Sequence, residues 1–223
     1  MLSIVIPMYN EKPRIASSVE TIRAYLETLQ MPYEIIVVDD GSTDGSAAAL
    51  ADVPDVCVIS YQPNRGKGNA VRQGMLAAKG DLVAFSDVDL SAPIEELRKL
   101  LDAIESGADI AIGSRALPAS QLVVHQPKYR ELGGKMLNLV IRALSVKGIH
   151  DTQCGFKLFR GEVARRLFAQ CILDGWGFDV EVLYLAQRMG YRIAEVPVKW
   201  AHSPDSRIHP FRAGLQVIKD LFR

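Results

Sequence analysis

Cysteine is scarce in this sequence. Cys57, Cys154 and Cys171 are the only three in 223 residues, and their spacing is not that of a metal-binding set. A reduced, cytoplasmic protein is the expectation that follows. Long apolar runs are missing too. No stretch of about 18 uncharged apolar residues occurs, so no transmembrane helix is expected and membrane contact would be peripheral. The start is strand-like from Leu2 and lacks the basic and apolar regions of a signal peptide. A charge excess of either sign is also absent: Lys plus Arg and Asp plus Glu number 26 each. Nothing global would recruit nucleic acid, so phosphate has to be held by local groups. The four histidines, His125, His150, His202 and His209, do not pair at ligand spacing. They are expected to be structural or on the surface.

What is present suffices for one α/β domain. The chain is 48% hydrophobic, enough for a substantial core at this length. Strands are expected at Leu2–Pro7, Tyr33–Val38, Val56–Tyr61, Leu82–Phe85 and Ile110–Gly113. Helices are expected between them: Pro13–Leu29, a start at Ser46–Ala51, Ala70–Lys79 and Ile94–Ser106. This alternation predicts a mostly parallel central sheet with right-handed crossovers and flanking helices. The second half is less regular. Leu117–Gln126 reads as a loop and Tyr129–Val146 as a long amphipathic helix. Gly155–Phe159 reads as a short strand, and Val163–Leu167 and Val180–Met189 as helices. Arg192–Val198 is strand-like, Trp200–His209 a polar loop and Phe211–Phe222 a last amphipathic helix. No second core is evident, so 1–223 is taken as one domain.

The run Leu82–Leu90 organises this pattern. A buried strand ends in Asp87-Val88-Asp89, where open α/β sheets bind ligands. If the chain stays extended there, both carboxylates point to one side. Such a pair repels itself unless a cation compensates, and carboxylate oxygens suit Mg²⁺ or Mn²⁺. Glu11 follows the first strand, and Asp39 and Asp40 follow the second. Parallel neighbouring strands would bring all of these to one edge. Carboxylates there can accept from a base N–H or from ribose hydroxyls. Asp44 reads as an N-cap only. Asn64-Arg65-Gly66-Lys67-Gly68-Asn69 is basic, glycine-rich and opens a helix, so its amides suit an anion. Neither the P-loop pattern nor G-x-G-x-x-G is matched. Cys154 reads as packing, while Trp176 and Trp200 suit either sugar stacking or packing.

Taken in order, Val5-Ile6-Pro7-Met8-Tyr9-Asn10-Glu11, Val37-Val38-Asp39-Asp40-Gly41-Ser42-Thr43-Asp44, Asn64-Arg65-Gly66-Lys67-Gly68 and Asp87-Val88-Asp89 resemble the inverting glycosyltransferases of family 2. The second half narrows this. Gly113-Ser114-Arg115, Asp151 through Phe159 and Phe178-Asp179-Val180-Glu181 resemble the polyprenyl-phosphate branch. The pattern is nearer to dolichyl-phosphate β-glucosyltransferases than to dolichyl-phosphate mannose synthases. The resemblance covers nearly the whole chain.

The resemblance implies a GT-A, Rossmann-like fold with a nucleotide-sugar half at 1–115 and an acceptor half at 116–223. It implies that Pro7, Glu11 and Asp39 hold base and ribose, with Lys67 near them or the diphosphate. Asp87 and Asp89 would lie on the ribose and metal side, Asp89 being the direct ligand of Mg²⁺ or Mn²⁺. Arg115, Arg130 and Lys157 would face the acceptor phosphate. Arg207 would replace the family's diphosphate-reaching lysine, in a loop that matches only loosely. Val88 stands where the family has alanine, and no counterpart of the eukaryotic members' N-terminal anchor is expected. The expected activity moves a hexose, foremost glucose from UDP-glucose, onto dolichyl or undecaprenyl phosphate, at the inner face of a membrane. Transfer from GDP-mannose and a non-catalytic nucleotide-sugar-binding module are the alternatives.

Overall fold

The structure, a computed structural model, describes residues 1–51, 53–124, 133, 141, 145–202 and 210–220. Its strands are β1 Leu2–Met8, β2 Tyr33–Asp39, β3 Val56–Ser60, β4 Leu82–Ser86, β5 Ile110–Ser114, β6 Gln121–Val124, β7 Phe156–Arg160, β8 Ile193–Pro197 and β9 Lys199–Ala201. Its helices are α1 Ile15–Thr28, α2 Lys67–Ala77, α3 Leu97–Glu105, α4 Gly161–Phe168, α5 Phe178–Arg188 and α6 Pro210–Asp220. Short 3₁₀ turns cover Ala48–Leu50 and Ile94–Glu96.

Seven strands form the main sheet, in the order β3-β2-β1-β4-β7-β5-β8. β1 is an interior strand and is buried along its whole length. Its side chains alternate between the two faces, as the pleat requires. Leu2, Ile4, Ile6 and Met8 enter one hydrophobic cluster and Val5 enters the other. The first cluster is closed by α1, through Ile15, Val19, Ile22 and Leu26, and by α3, through Leu97, Leu100, Leu101 and Ile104. The second is closed by α2, α4 and α5, with Val217 of α6. Burying one such side chain contributes about 2 kcal/mol, so a double-sided apolar sheet is what this sequence favours.

β1, β2, β3 and β4 run parallel, as expected. β7 does not: it lies antiparallel between β4 and β5. Reversal brings its first residue beside the last of β4, Phe156 pairing with Ser86. β5 is antiparallel to β7 and so parallel to β4. The C-terminal ends of β1, β2, β4 and β5 and the N-terminal end of β7 therefore share one rim.

Four segments depart from the sequence reading, one being the expected loop Trp200–His209, whose Trp200 and Ala201 belong to β9. Ser46–Ala51 closes only the single 3₁₀ turn Ala48–Leu50, with Leu50 buried. Within the expected loop Leu117–Gln126, β6 pairs in parallel with β9 in a separate two-stranded sheet. β6 has four residues and one partner, and its apolar residues Val123 and Val124 are exposed, so its short apolar run does not mark a buried strand. α2 begins at Lys67 rather than Ala70, so the glycine-rich loop is partly the helix's first turn. The helix expected at Tyr129–Val146 lies largely outside the described residues.

Candidate active site

The rim is built around Asp87. Beyond Ser86 the chain does not stay extended but turns, the Leu90 amide donating to the Asp87 carbonyl at 3.2 Å. Leu90 has φ +46°, and Val88 is buried between the two aspartates. Strand alternation therefore does not put Asp87 and Asp89 on one side. Ser18 of α1 fastens this turn, its hydroxyl donating to the Val88 carbonyl at 2.6 Å. Asp89 Oδ1 accepts from the Ser91 amide at 3.0 Å.

The Asp87 carboxylate meets the Lys67 ammonium at 2.5 Å. On its other side it rests on Gly155, where a Cβ would lie 2.0 Å from Asp87 Oδ2. Only glycine allows that approach. The Asp87 amide donates to the Gly155 carbonyl at 3.2 Å. Lys67 also stands over the Trp176 ring, its Nζ 5.4 Å from the centroid. Burial works against the charge of Lys67. The carboxylates of Asp87 and Asp179 outweigh it and hold the lysine above its ordinary pKa.

Lys157 sits directly under this pair. It was expected to face an acceptor phosphate, but its side chain is fully buried between β4 and β5. Its ammonium donates to the Cys154 carbonyl at 2.7 Å and to the Asp179 carboxylate, and lies 5.2 Å from the Phe85 centroid. A charge placed in a central strand has to be paired in this way. Burial holds the pKa of Asp179 above its ordinary value, although the charges of Lys157 and then Lys67 act to lower it. The pair thus supports the rim from below.

Arg115 follows β5 on the same rim. It grips Asp151 through two contacts, Nε to Oδ2 at 2.7 Å and a terminal nitrogen to Oδ1 at 2.9 Å. The guanidinium lies 5.3 Å from the Trp200 centroid and keeps 29% of its side-chain surface exposed. Burial acts to raise the Asp151 pKa, but the charge and hydrogen bonds of Arg115 overcome it and leave the pKa low. Burial pushes the neighbouring Cys154 thiol up to about 12, so it stays neutral and packs. Trp200 packs against Arg115 and His202.

The other acids stand along the rim at the ends of β1 and β2. Pro7 is buried opposite Val38. Glu11 pairs with Arg14 at 2.9 Å. Asp39 is buried and accepts the Ser42 amide at 2.9 Å. Asp40 takes the amides of Arg65 and Gly66, each at 2.8 Å. Two amides of the glycine-rich loop, ahead of the helix start, are thus taken by the protein's own carboxylate. Gly66 has φ +111°, and a Cβ there would lie 2.4 Å from the Asp174 carbonyl oxygen. Asp44 braces the adjacent loop, accepting from the amides of Ser46 at 2.9 Å and Lys12 at 3.1 Å.

Among the described residues no three His, Cys, Asp or Glu side chains converge as a cage. Asp89 and Asp87 offer hard oxygens on an open rim. That fits an ion such as Mg²⁺, which takes one or two carboxylates and completes its shell with substrate phosphates and water.

Comparison with known proteins names the family. The family model described as glycosyl transferase family 2 matches residues 3–168. The chain belongs to this family. Among family 2 relatives, the dolichyl-phosphate β-glucosyltransferase of Homo sapiens is 37% identical, over 99% of this chain and 73% of its own. Those of Dictyostelium discoideum and Saccharomyces cerevisiae are 35% and 34% identical, over 100% and 99% of this chain and 73% and 72% of theirs. Among solved structures, glucosyl-3-phosphoglycerate synthase from Mycobacterium tuberculosis, in complex with Mn²⁺, UDP-glucose and phosphoglyceric acid, superposes with a TM-score of 0.77. It is 22% identical over 100% of this chain and 78% of that one, which establishes the shared GT-A fold.

Of the site residues expected for family 2, Lys67, Asp87 and Asp89 come together, with Glu11, Asp39 and Arg115 along the same rim. Pro7 lies beneath it in β1 and Lys157 within the sheet. Arg130 and Arg207 lie outside the described residues. Asp179, which acts on both lysines, and Glu181 lie in the stretch Phe178-Asp179-Val180-Glu181, outside the expected site residues. The signal for Asp179 was its place, an acid in the apolar run Phe178–Ala186, matched by a lone lysine in the apolar run Phe156–Phe159.

Proposed function

We propose that this family 2 enzyme moves glucose from UDP-glucose onto the phosphate of a polyprenyl phosphate such as dolichyl or undecaprenyl phosphate, with inversion. The observation that carries the reading is the Lys67–Asp87 ion pair at the end of β4, with Asp89 near enough for its charge to act on Lys67. A leaving diphosphate needs positive charge there, and Lys67 brings it without a proton transfer. A bound Mg²⁺ or Mn²⁺, held by Asp89 with Asp87 beside it, would add Lewis-acid charge to the same group. Glu11 and Asp39, with Pro7 behind them, would receive base and ribose, so residues 1–115 form the donor half. Residues 116–223, with Arg115 at the boundary, form the acceptor half.

In the single displacement an acceptor phosphate oxygen bonds to the anomeric carbon while its bond to the diphosphate oxygen breaks. A phosphomonoester has a second pKa of about 6 and is mostly dianionic at neutral pH, so no side chain has to remove a proton. Glu181 fits this account, because both its oxygens already accept backbone amides, from Ile172 at 2.8 Å and Leu173 at 3.0 Å. Arg115 and Arg130 are the guanidinium candidates for the acceptor phosphate and Arg207 the candidate for the diphosphate, since a fork suits phosphate better than an ammonium. Lys157 serves by fixing Asp179 and the Cys154 carbonyl.

The named relatives act on a dolichyl phosphate, and a lipid acceptor calls for peripheral membrane contact. No helix among the described residues is long and apolar enough to cross a membrane. The direct test is a donor panel of UDP-glucose, UDP-galactose and GDP-mannose, assayed with undecaprenyl and dolichyl phosphates. Glucose transfer to either lipid supports the reading. Preference for GDP-mannose changes the donor, and nucleotide-sugar binding without transfer to any acceptor rejects the enzyme.

A further inference from the structure

Residues 171–176, between α4 and α5, press on the turn that carries Lys67. A Cβ on Gly68 would lie 2.5 Å from the Leu173 carbonyl oxygen, and the Asn69 amide donates to the Asp174 carbonyl at 3.1 Å. With the Asp174 carbonyl against Gly66, three positions at the α2 start, Gly66, Gly68 and Asn69, rest on this loop. Its far end holds Trp176, whose ring lies under the Lys67 ammonium.

Two charged side chains hold the loop itself. Arg72 of α2 donates to the Cys171 carbonyl at 3.1 Å and to the Asp174 carboxylate at 2.6 Å. Glu181 of α5 receives the successive amides of Ile172 and Leu173, one on each oxygen. A carboxylate fork on two amides is a charge-assisted anchor, about twice as strong per bond as a neutral one. Ile172 beside it is 70% exposed, so apolar packing of that side chain does not hold the loop in place.

We propose that Glu181 is a positioning residue for Lys67: by fixing the 171–176 loop it sets where the Lys67 ammonium stands between Asp87 and Trp176. This rests on the reading of Lys67 as the group that meets the donor diphosphate. Glu181 touches no reacting atom, and its influence passes through the loop carbonyls to Gly66, Gly68 and Asn69.

A double-mutant cycle tests it, with wild type, Glu181→Gln, Lys67→Met and the double variant. The first readout is kcat/KM for UDP-glucose with saturating polyprenyl phosphate. The second is amide hydrogen exchange in segments 64–70 and 171–176, which needs no activity. Glu181→Gln keeps the shape but replaces one acceptor by an NH₂ group facing an amide. We expect it to lose about tenfold in kcat/KM, the scale of one charge-assisted hydrogen bond. In the Lys67→Met background the same change should cost less than about twofold, because coupled residues are not additive. Exchange at 64–70 should accelerate in Glu181→Gln. Losses that multiply, or exchange at 64–70 that stays as in wild type, overturn the proposal. If wild type transfers no glucose, the functional reading fails while the exchange comparison still decides the coupling. Should Glu181→Gln not fold, Glu181→Asp keeps the charge, draws the fork back by a methylene and has to show the same pattern.

Discussion

The Lys67 ammonium lies 2.5 Å from the Asp87 carboxylate, where the central strand meets the rim. Each needs the other. The Asp87 carboxylate rests on Gly155, and Lys67 lies against the rings of Trp176 and Phe178. The ammonium is therefore preorganised, which is what a developing diphosphate charge exploits. Lys67→Met should lower kcat by about 100-fold or more, the scale seen when one preorganised donor is removed. Steady-state kinetics with UDP-glucose check it, and a kcat within twofold of wild type would remove Lys67 from the chemistry.

Asp89 gives the metal prediction. Its Oδ1 is committed to the Ser91 amide, an interaction asparagine can keep. Asp89→Asn should therefore fold normally, as circular dichroism will report. It should lose about 3 kcal/mol or more of transition-state stabilisation. Wild-type activity should vanish in EDTA and return with Mg²⁺ or Mn²⁺. Full turnover of the variant in EDTA would contradict the assignment.

The buried pair under the rim makes a stability prediction. Lys157→Met leaves Asp179 in an apolar setting with one ammonium fewer, at a cost of about 3 kcal/mol. Lys157→Met combined with Asp179→Leu removes both charges and should recover most of that loss, since a matched apolar pair is often no less stable. Urea unfolding of the three proteins distinguishes this from simple misfit, in which the double variant would be the least stable.

The low pKa of Asp151 ties stability to pH. Its folded value lies below the ordinary carboxylate value of about 3.9, because Arg115 overcomes burial. A depressed pKa contributes stability that is present above the unfolded value and lost as pH falls through the folded one. Breaking a buried pair costs about 3 kcal/mol or more, and about 2 kcal/mol is expected here because Arg115 is partly solvated. Asp151→Asn should thus melt about 4–8 °C below wild type at pH 7. The gap should narrow below about pH 4. A gap of constant size from pH 7 to pH 3 would show that the ion pair is not its source.

These tests follow the division between what the sequence displays and what only the fold brings together. Strands buried on both faces announce themselves as apolar runs, so β1, β2 and β4 were legible, and with them the rim carrying Glu11, Asp39, Asp87 and Asp89. The helical spacing of Ile15, Val19, Ile22 and Leu26 was as plain. β7 concealed its place because Lys157 interrupts it, and only Asp179, 22 residues later, makes that lysine tolerable. The turn at Val88–Leu90 depends on a positive φ that no residue type there advertises. Asp39 and Asp40 look interchangeable in sequence. Which of them takes the loop amides is decided by where β2 ends, Asp39 still pairing with Met8.

The central claim is that a lipid phosphate attacks the sugar without help from a base. The most direct measurement offers wild type a short polyprenyl phosphate and the matching polyprenol, each with UDP-glucose and Mn²⁺, and follows glucosyl lipid over time. The account predicts rapid transfer to the phosphate and none to the alcohol, with the rate rising as pH passes about 6, where the acceptor becomes dianionic. Efficient glucosylation of the alcohol, abolished in Glu181→Gln, would show that a proton acceptor is required and would contradict the account.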